Sequence, residues 1–170
     1  RGDATFRGIE LDGKYYVNRN VYVLGSFLHQ ANSDSDGNTN ITPVPNTTVK
    51  GGISFQHERG MTVSVFDNYQ GPIGGSPDRG VAGRASSVLN PMPAPRHLLS
   101  AHARLELASL LKASHTGGIA FVVNGDNLTN ESTWLPDWGA NTGDTIPARR
   151  GRTLYVGIGM SMGRRSSTRP

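Results

Sequence analysis

Apolar and polar residues alternate with a period of two along seven stretches of this chain, the pattern of strands with one apolar and one polar face. In residues 5–17, Ile9, Leu11, Tyr15 and Val17 share one parity while Glu10, Asp12 and Lys14 take the other. Residues 20–31 set Val21, Val23 and Phe27 on one side, with Tyr22, Leu24 and Leu28 blurring the opposite one. Val49, Ile53 and Phe55 then alternate with Lys50, Ser54 and Gln56, and Met61, Val63 and Val65 with Thr62, Ser64 and Asn68. The longest run, residues 97–113, sets Leu99, Ala101, Ala103, Leu105, Leu107 and Leu111 against Ser100, His102, Arg104 and Glu106. Leu, Ala and Glu also favour helices, but this spacing would scatter the apolar side chains around a helix, so a strand is expected. Ile119, Phe121 and Val123 face away from Ala120 and Asn124, and Leu154, Val156, Ile158, Met160 and Met162 from Thr153, Tyr155 and Ser161. The expected fold class is all-β and antiparallel.

The connections carry a second pattern. Around residues 18–19, 59–60 and 114–117 the chain is expected to turn back tightly, whereas residues 32–47, 71–96 and 130–148 are long, polar and rich in Gly and Pro. Tight turns at one end and long loops at the other are the habit of an up-and-down transmembrane β-barrel, with the loops outside the cell. Strands of roughly ten residues are also the length a tilted bilayer crossing needs. On that reading Leu, Val, Ile and Phe meet lipid, while Glu10, Lys14, Lys50, His102, Arg104 and Glu106 line the lumen or face a plug. In a soluble sandwich the same charged positions would form the solvated face, and parity alone leaves both architectures open. Tyr15, Tyr16, Tyr22 and Tyr69 lie near strand ends, as interfacial girdles or as cross-strand pairs do.

Composition narrows the classes. Gly (22) and Pro (10) are plentiful among 170 residues, as turns between strands require. The mean hydropathy is -0.40 and no apolar run reaches the roughly 18 residues of a membrane helix. A barrel tolerates this value, because each strand shows lipid only every second side chain. The absence of cysteine removes disulfide frameworks and thiolate metal sites. The start, Arg1-Gly2-Asp3, has no signal-peptide pattern, which implies a cytoplasmic protein or an incomplete one. The net charge of +4 is concentrated in Arg149, Arg150, Arg152, Arg164, Arg165 and Arg169. Nucleic-acid binding would want basic residues spread over a face with interleaved aromatics, so no nucleic-acid partner is expected.

Candidate chemistry is sparse. The five histidines have no metal-ligand spacing, and no nucleophile elbow or phosphate loop occurs, so neither an enzyme nor a metal or cofactor site is expected. His102, Arg104 and Glu106 share a face and read as a salt-bridged ladder or a lumen cluster. Asp34, Asp36 and Asn38 have calcium-loop spacing but lack the Gly and bidentate Glu further on, so a solvated loop is expected. Trp134, Asp137 and Trp138, in the last long loop, are the candidates for ligand contact, since loops carry recognition. Their alternative is to anchor that loop against its neighbours or the membrane interface.

Three stretches resemble the C-terminal part of TonB-dependent outer-membrane receptors. They are Phe6-Arg7-Gly8-Ile9-Glu10 with Gly25-Ser26 in the next strand; Pro43-Val44-Pro45 leading to Gly51-Gly52-Ile53-Ser54-Phe55; and Asn127-Leu128-Thr129-Asn130, Trp134-Leu135-Pro136 and Pro147 to Gly157 with Gly151-Arg152. The resemblance implies that residues 1–162 are about the last seven strands of a larger barrel of roughly 22 strands, followed by a disordered basic tail, 163–170. Family members usually stop on an aromatic residue at the end of the last strand, and this chain continues into the tail instead. The resemblance further implies a Gram-negative outer membrane, lipid contact, a plug domain and TonB as partners through regions outside this sequence, and active uptake of a ferric siderophore or similar metal chelate. Two other architectures fit the pattern: an eight-stranded porin or adhesin barrel, and a soluble β-sandwich that stacks carbohydrate on Trp134 and Trp138.

Overall fold

A computed structural model describes residues 3–39, 41–42, 44–58, 60–73, 93–107, 118–136 and 145–160. Its strands are β1 (Ala4–Tyr16), β2 (Val21–Asp34), β3 (Thr47–His57), β4 (Met61–Gln70), β5 (Arg96–Glu106), β6 (Ile119–Asp126), β7 (Trp134–Pro136), β8 (Thr145–Pro147) and β9 (Thr153–Met160). Seven of them form one sheet in the order β1-β2-β3-β4-β5-β6-β9, every pair antiparallel, and β7 and β8 form a separate small hairpin. The all-β antiparallel expectation holds. The long loop expected at residues 130–148 contains the β7–β8 hairpin, whose three-residue strands are too short for a period to register. β5 starts one residue before the expected 97 and ends at Glu106. The continuation through residues 108–113, the turn at 114–117, Met162 and the basic tail lie outside the described residues.

Register converts the alternation into two faces. One cross-strand row runs Tyr15, Val23, Ile53, Val65, Ala101, Gly125, Leu154, and its neighbour runs Val21, Phe55, Val63, Ala103, Val123, Val156. The opposite face carries Tyr16, Tyr22, Ser54, Ser64, His102, Asn124 and Tyr155 in one row. Burial is inverted relative to a water-soluble sheet. Ile9, Leu11, Ile53, Val65, Leu154, Val156 and Ile158 are exposed, the last at 66%. Of the buried residues in this sheet, Asn32, Ser54, Ser64, Arg96, Leu98 and Ala120 stand on the polar parity, and Gly125, with Leu128 beside it, stands on the apolar one. Side chains crowd one another on the concave side of a curved sheet and splay on the convex side, so this sheet curls toward its polar face. The core that a sandwich would place on Leu99, Ala101, Ala103 and Leu105 is absent: none of the four is buried, and β5 buries Arg96 and Leu98 instead.

The energetic meaning is direct. Each half-exposed aliphatic side chain forgoes about 1 kcal/mol of transfer free energy. More than ten of them share the apolar face, a sum comparable with the whole stability of a domain, about 5–15 kcal/mol. A face of this kind requires an apolar neighbour.

All three long connections, β2–β3, β4–β5 and β6–β9, leave from one end of the sheet. At the other end the β1–β2 turn is held by Asn18, whose Oδ1 accepts the N–H groups of Asn20 (2.8 Å) and Val21 (2.9 Å). Asn20 Nδ2 donates to the Gln56 carbonyl at 2.7 Å and binds this turn to the next. The Arg19–Glu58 ion pair beside it, at 3.1 Å, is mostly exposed and contributes little. In the β3–β4 turn Gly60 has φ +80, and a Cβ there would stand 2.5 Å from Glu106 Cγ. Gly60→Ala is expected to cost about 1–2 kcal/mol through the left-handed backbone, read as a lowered urea midpoint. An unchanged midpoint would mean that the turn relaxes freely.

Candidate functional site

The inward face and the loop end are where this sheet presents polar groups in an ordered way. Glu10, Lys14, Lys50, His102, Arg104 and Glu106 all stand on the inward parity, opposite Leu28, Leu24, Ser26, Ser64, Thr62 and Ala120. They do not converge on one centre. Lys14 Nζ sits 4.6 Å from the Tyr16 ring centroid and 3.8 Å from that of Tyr22, a cation held by two aromatic faces near the turn end. His102 Nδ1 lies 2.6 Å from Asn124 Oδ1, across the β5–β6 pair. Arg104 Nε donates to Glu106 Oε1 at 3.1 Å along β5, so the expected ladder of three holds an ion pair between two of its members, while His102 turns to Asn124. Ser54 and Ser64 share a buried hydroxyl hydrogen bond of 2.8 Å between them. The Phe66 ring covers Gly52, its cross-strand partner, where any side chain would collide with it.

At the loop end three buried polar residues organise the connections, and sequence reasoning named none of them as a site. Asn32 Nδ2 donates to Asn46 Oδ1 (3.0 Å) and Thr42 Oγ1 (3.4 Å), tying β2 to the segment before β3. Asn127 is fully buried with φ 50, a left-handed backbone that Asn tolerates better than most residues. Its Nδ2 donates to the carbonyls of Glu131 (2.8 Å) and Arg150 (3.2 Å), and its Oδ1 accepts the Glu131 N–H (2.8 Å). Asn130, at φ 59, accepts the Arg152 N–H at 2.9 Å. Together they clamp the exit of β6 to the approach of β9. The Asn-Leu-Thr-Asn run therefore has a mechanical basis, and two asparagines three apart at a strand exit were its available signal. Arg96, the third, is 6% exposed, with Nε donating to Gln70 Oε1 at 3.0 Å. Standing just after Pro95, it reads in sequence as a loop residue.

Trp134 opens β7, opposite Pro147, and is partly buried at the loop base, while Asp137 and Trp138 lie outside the described residues. Asp34 Oδ1 accepts the N–H groups of Asp36 (3.1 Å) and Asn38 (2.8 Å), an Asx-type turn for the calcium-like spacing. On the outward face near the loops, His97 pairs with Asp67 at 2.8 Å and its ring lies 4.9 Å from that of Tyr69. These polar and aromatic groups mark a band where the apolar face ends.

One antiparallel seven-stranded sheet with an apolar face, a polar face and its long connections gathered at one end is the architecture that the described residues define. Among solved structures, the FpvAI–pyocin S2 complex is similar in fold, at a TM-score of 0.65 and 14% identity over 91% of this chain. FpvAI is a TonB-dependent receptor, and this chain covers 20% of the matched chain. At that identity the likeness is one of fold. No protein-family profile and no curated protein matches the sequence.

Proposed function

We propose that this chain is the C-terminal part of the wall of an outer-membrane TonB-dependent receptor, with residues 1–162 in the barrel and 163–170 as a basic tail. Its three long loops then lie outside the cell and take up a scarce nutrient, of which a ferric siderophore or similar metal chelate is the type. A plug and TonB, through parts outside this sequence, would supply gating and energy. The observation that carries the reading is the inverted burial: large apolar side chains stand exposed on one face of six of the seven strands, while the buried side chains of the sheet stand on the other. Lipid is the neighbour that such a face fits.

Strand direction supports closure as part of a larger barrel. Because every neighbour is antiparallel, β1 and β9 point the same way. The sheet cannot close on itself without a parallel seam, and an odd number of further strands restores antiparallel pairing throughout. A barrel of roughly 22 strands satisfies this parity.

The chain has no cysteine, so a cysteine introduced into it reports on sidedness when labelling is compared with the unsubstituted parent. In intact Gram-negative cells carrying the full-length protein, Asp36→Cys is expected to react with a membrane-impermeant maleimide and Arg19→Cys only after permeabilisation. Equal labelling of both in a soluble fraction would sink the reading.

A further inference from the structure

Arg96 occupies an unusual electrostatic position. It stands on the inward face at the loop end of β5, opposite Gln70, and is 6% exposed. Among the described residues its hydrogen-bond partner is Gln70 Oε1, on Nε, and no carboxylate lies within ion-pair distance of the guanidinium. Arg149 is near enough to repel it, and Arg149 itself leans toward Asp126 at 3.7 Å. Among the described residues these three side chains sum to one net positive charge. Withdrawing a cation from water without a counterion is costly, which makes such a site a receptor for an anion.

A second, independent feature points into the same place. Asn68 stands on the same face, diagonal to Arg96, at the roughly 7–8 Å typical of such neighbours. Its side-chain oxygen is buried and has no hydrogen-bond partner. Oxygen and nitrogen of an amide exchange by a flip, so Asn68 can accept a hydroxyl or donate an N–H to an oxyanion. Directly opposite Asn68 across β3–β4 is Lys50, an exposed ammonium on the same face. The cluster thus combines a buried planar guanidinium, a mobile point charge and an unsatisfied amide.

We infer that Arg96, Asn68 and Lys50 form an inward-facing oxyanion site, which takes a carboxylate or phosphate-type group of a ligand arriving from the loop side. The forked guanidinium suits bidentate oxyanions, and Lys50 adds attraction without fixing geometry. The inference rests on the receptor reading for the direction of arrival, and it narrows the cargo class to ligands with an exposed anionic group.

The probe is metal-free citrate, titrated calorimetrically at low ionic strength into the full-length protein in detergent, with a neutral sugar as control. Citrate is expected to bind saturably, and the affinity to fall at least about tenfold in Arg96→Gln and about threefold in Lys50→Gln. Lys50 is exposed, so its substitution leaves folding intact and guards against loss through misfolding. Saturable binding that neither variant weakens would overturn the site, as would the absence of saturable citrate binding. Either failure leaves the sidedness of the loops, measured by cysteine labelling, untouched.

Discussion

Asn127→Ala is expected to lower the stability of the vesicle-inserted full-length protein by about 3–4 kcal/mol, because two mechanisms act at one residue. The first is the loss of three side-chain hydrogen bonds at a fully buried position, to Glu131 twice and to Arg150 once. Truncation leaves the Arg150 and Glu131 carbonyls and the Glu131 N–H short of a partner, and each unsatisfied buried group costs about 1–3 kcal/mol where water cannot reach it. The second is the backbone: alanine at φ 50 meets a left-handed penalty of about 1 kcal/mol that asparagine largely escapes. Asn127→Gly separates the two, since it keeps the backbone and loses the bonds. It is expected to lie about 1 kcal/mol above the alanine variant. Urea unfolding followed by fluorescence measures both, and an alanine variant as stable as the parent would show that the clamp is ornamental.

Val65→Arg carries the next largest effect, and its value depends on depth. Val65 lies in the middle row of the apolar face, between Ile53 and Ala101. An arginine at the bilayer midplane of a barrel costs about 2–4 kcal/mol and one near the interface about 0–1. Val49 shares its row with Tyr69 and His97, at the polar band below the loops, so Val49→Arg is expected to be nearly neutral. In a soluble sheet the two valines would stand in one core and suffer alike. Equal losses at Val65 and Val49 would therefore count against lipid and in favour of a protein layer.

The strands were legible because each has two different environments, and period two records that difference without any propensity argument. β2 blurred the pattern for reasons now visible: the Tyr22 ring lies tilted against that of Tyr16 at 5.7 Å and beneath Lys14, while Leu24 and Leu28 face Lys14 and Glu10 across the pair. These are apolar side chains on the inward face, each beside a charged residue's stem. The β7–β8 hairpin was illegible because Trp134-Leu135-Pro136 and Thr145-Ile146-Pro147 each complete barely one alternation. Of the expected site residues, the six charges Glu10, Lys14, Lys50, His102, Arg104 and Glu106 share the polar parity, but a face is not a centre. Glu10 stands toward the loops and Glu106 toward the turns, and parity says nothing about height along the strand. Arg96 and Asn127 were hidden for a different reason. Burial of a polar side chain depends on what the chain folds around it, and in sequence both look like ordinary loop residues.

The sheet order also bears on how such a wall is assembled. Each strand pairs with the strands adjacent to it in sequence, the β7–β8 hairpin being set aside within one connection. Every pairing within the wall is therefore a hairpin, closed with little loss of chain entropy and open to formation in order as successive segments arrive. The free edges of β1 and β9 are the exceptions. Within the seven-stranded sheet each has one side without a partner strand, a row of backbone donors and acceptors that can recruit a foreign strand until a neighbour pairs with it. An open edge is therefore the vulnerable place in such a wall, and a chaperone that shields it would act where hairpin-by-hairpin zipping cannot.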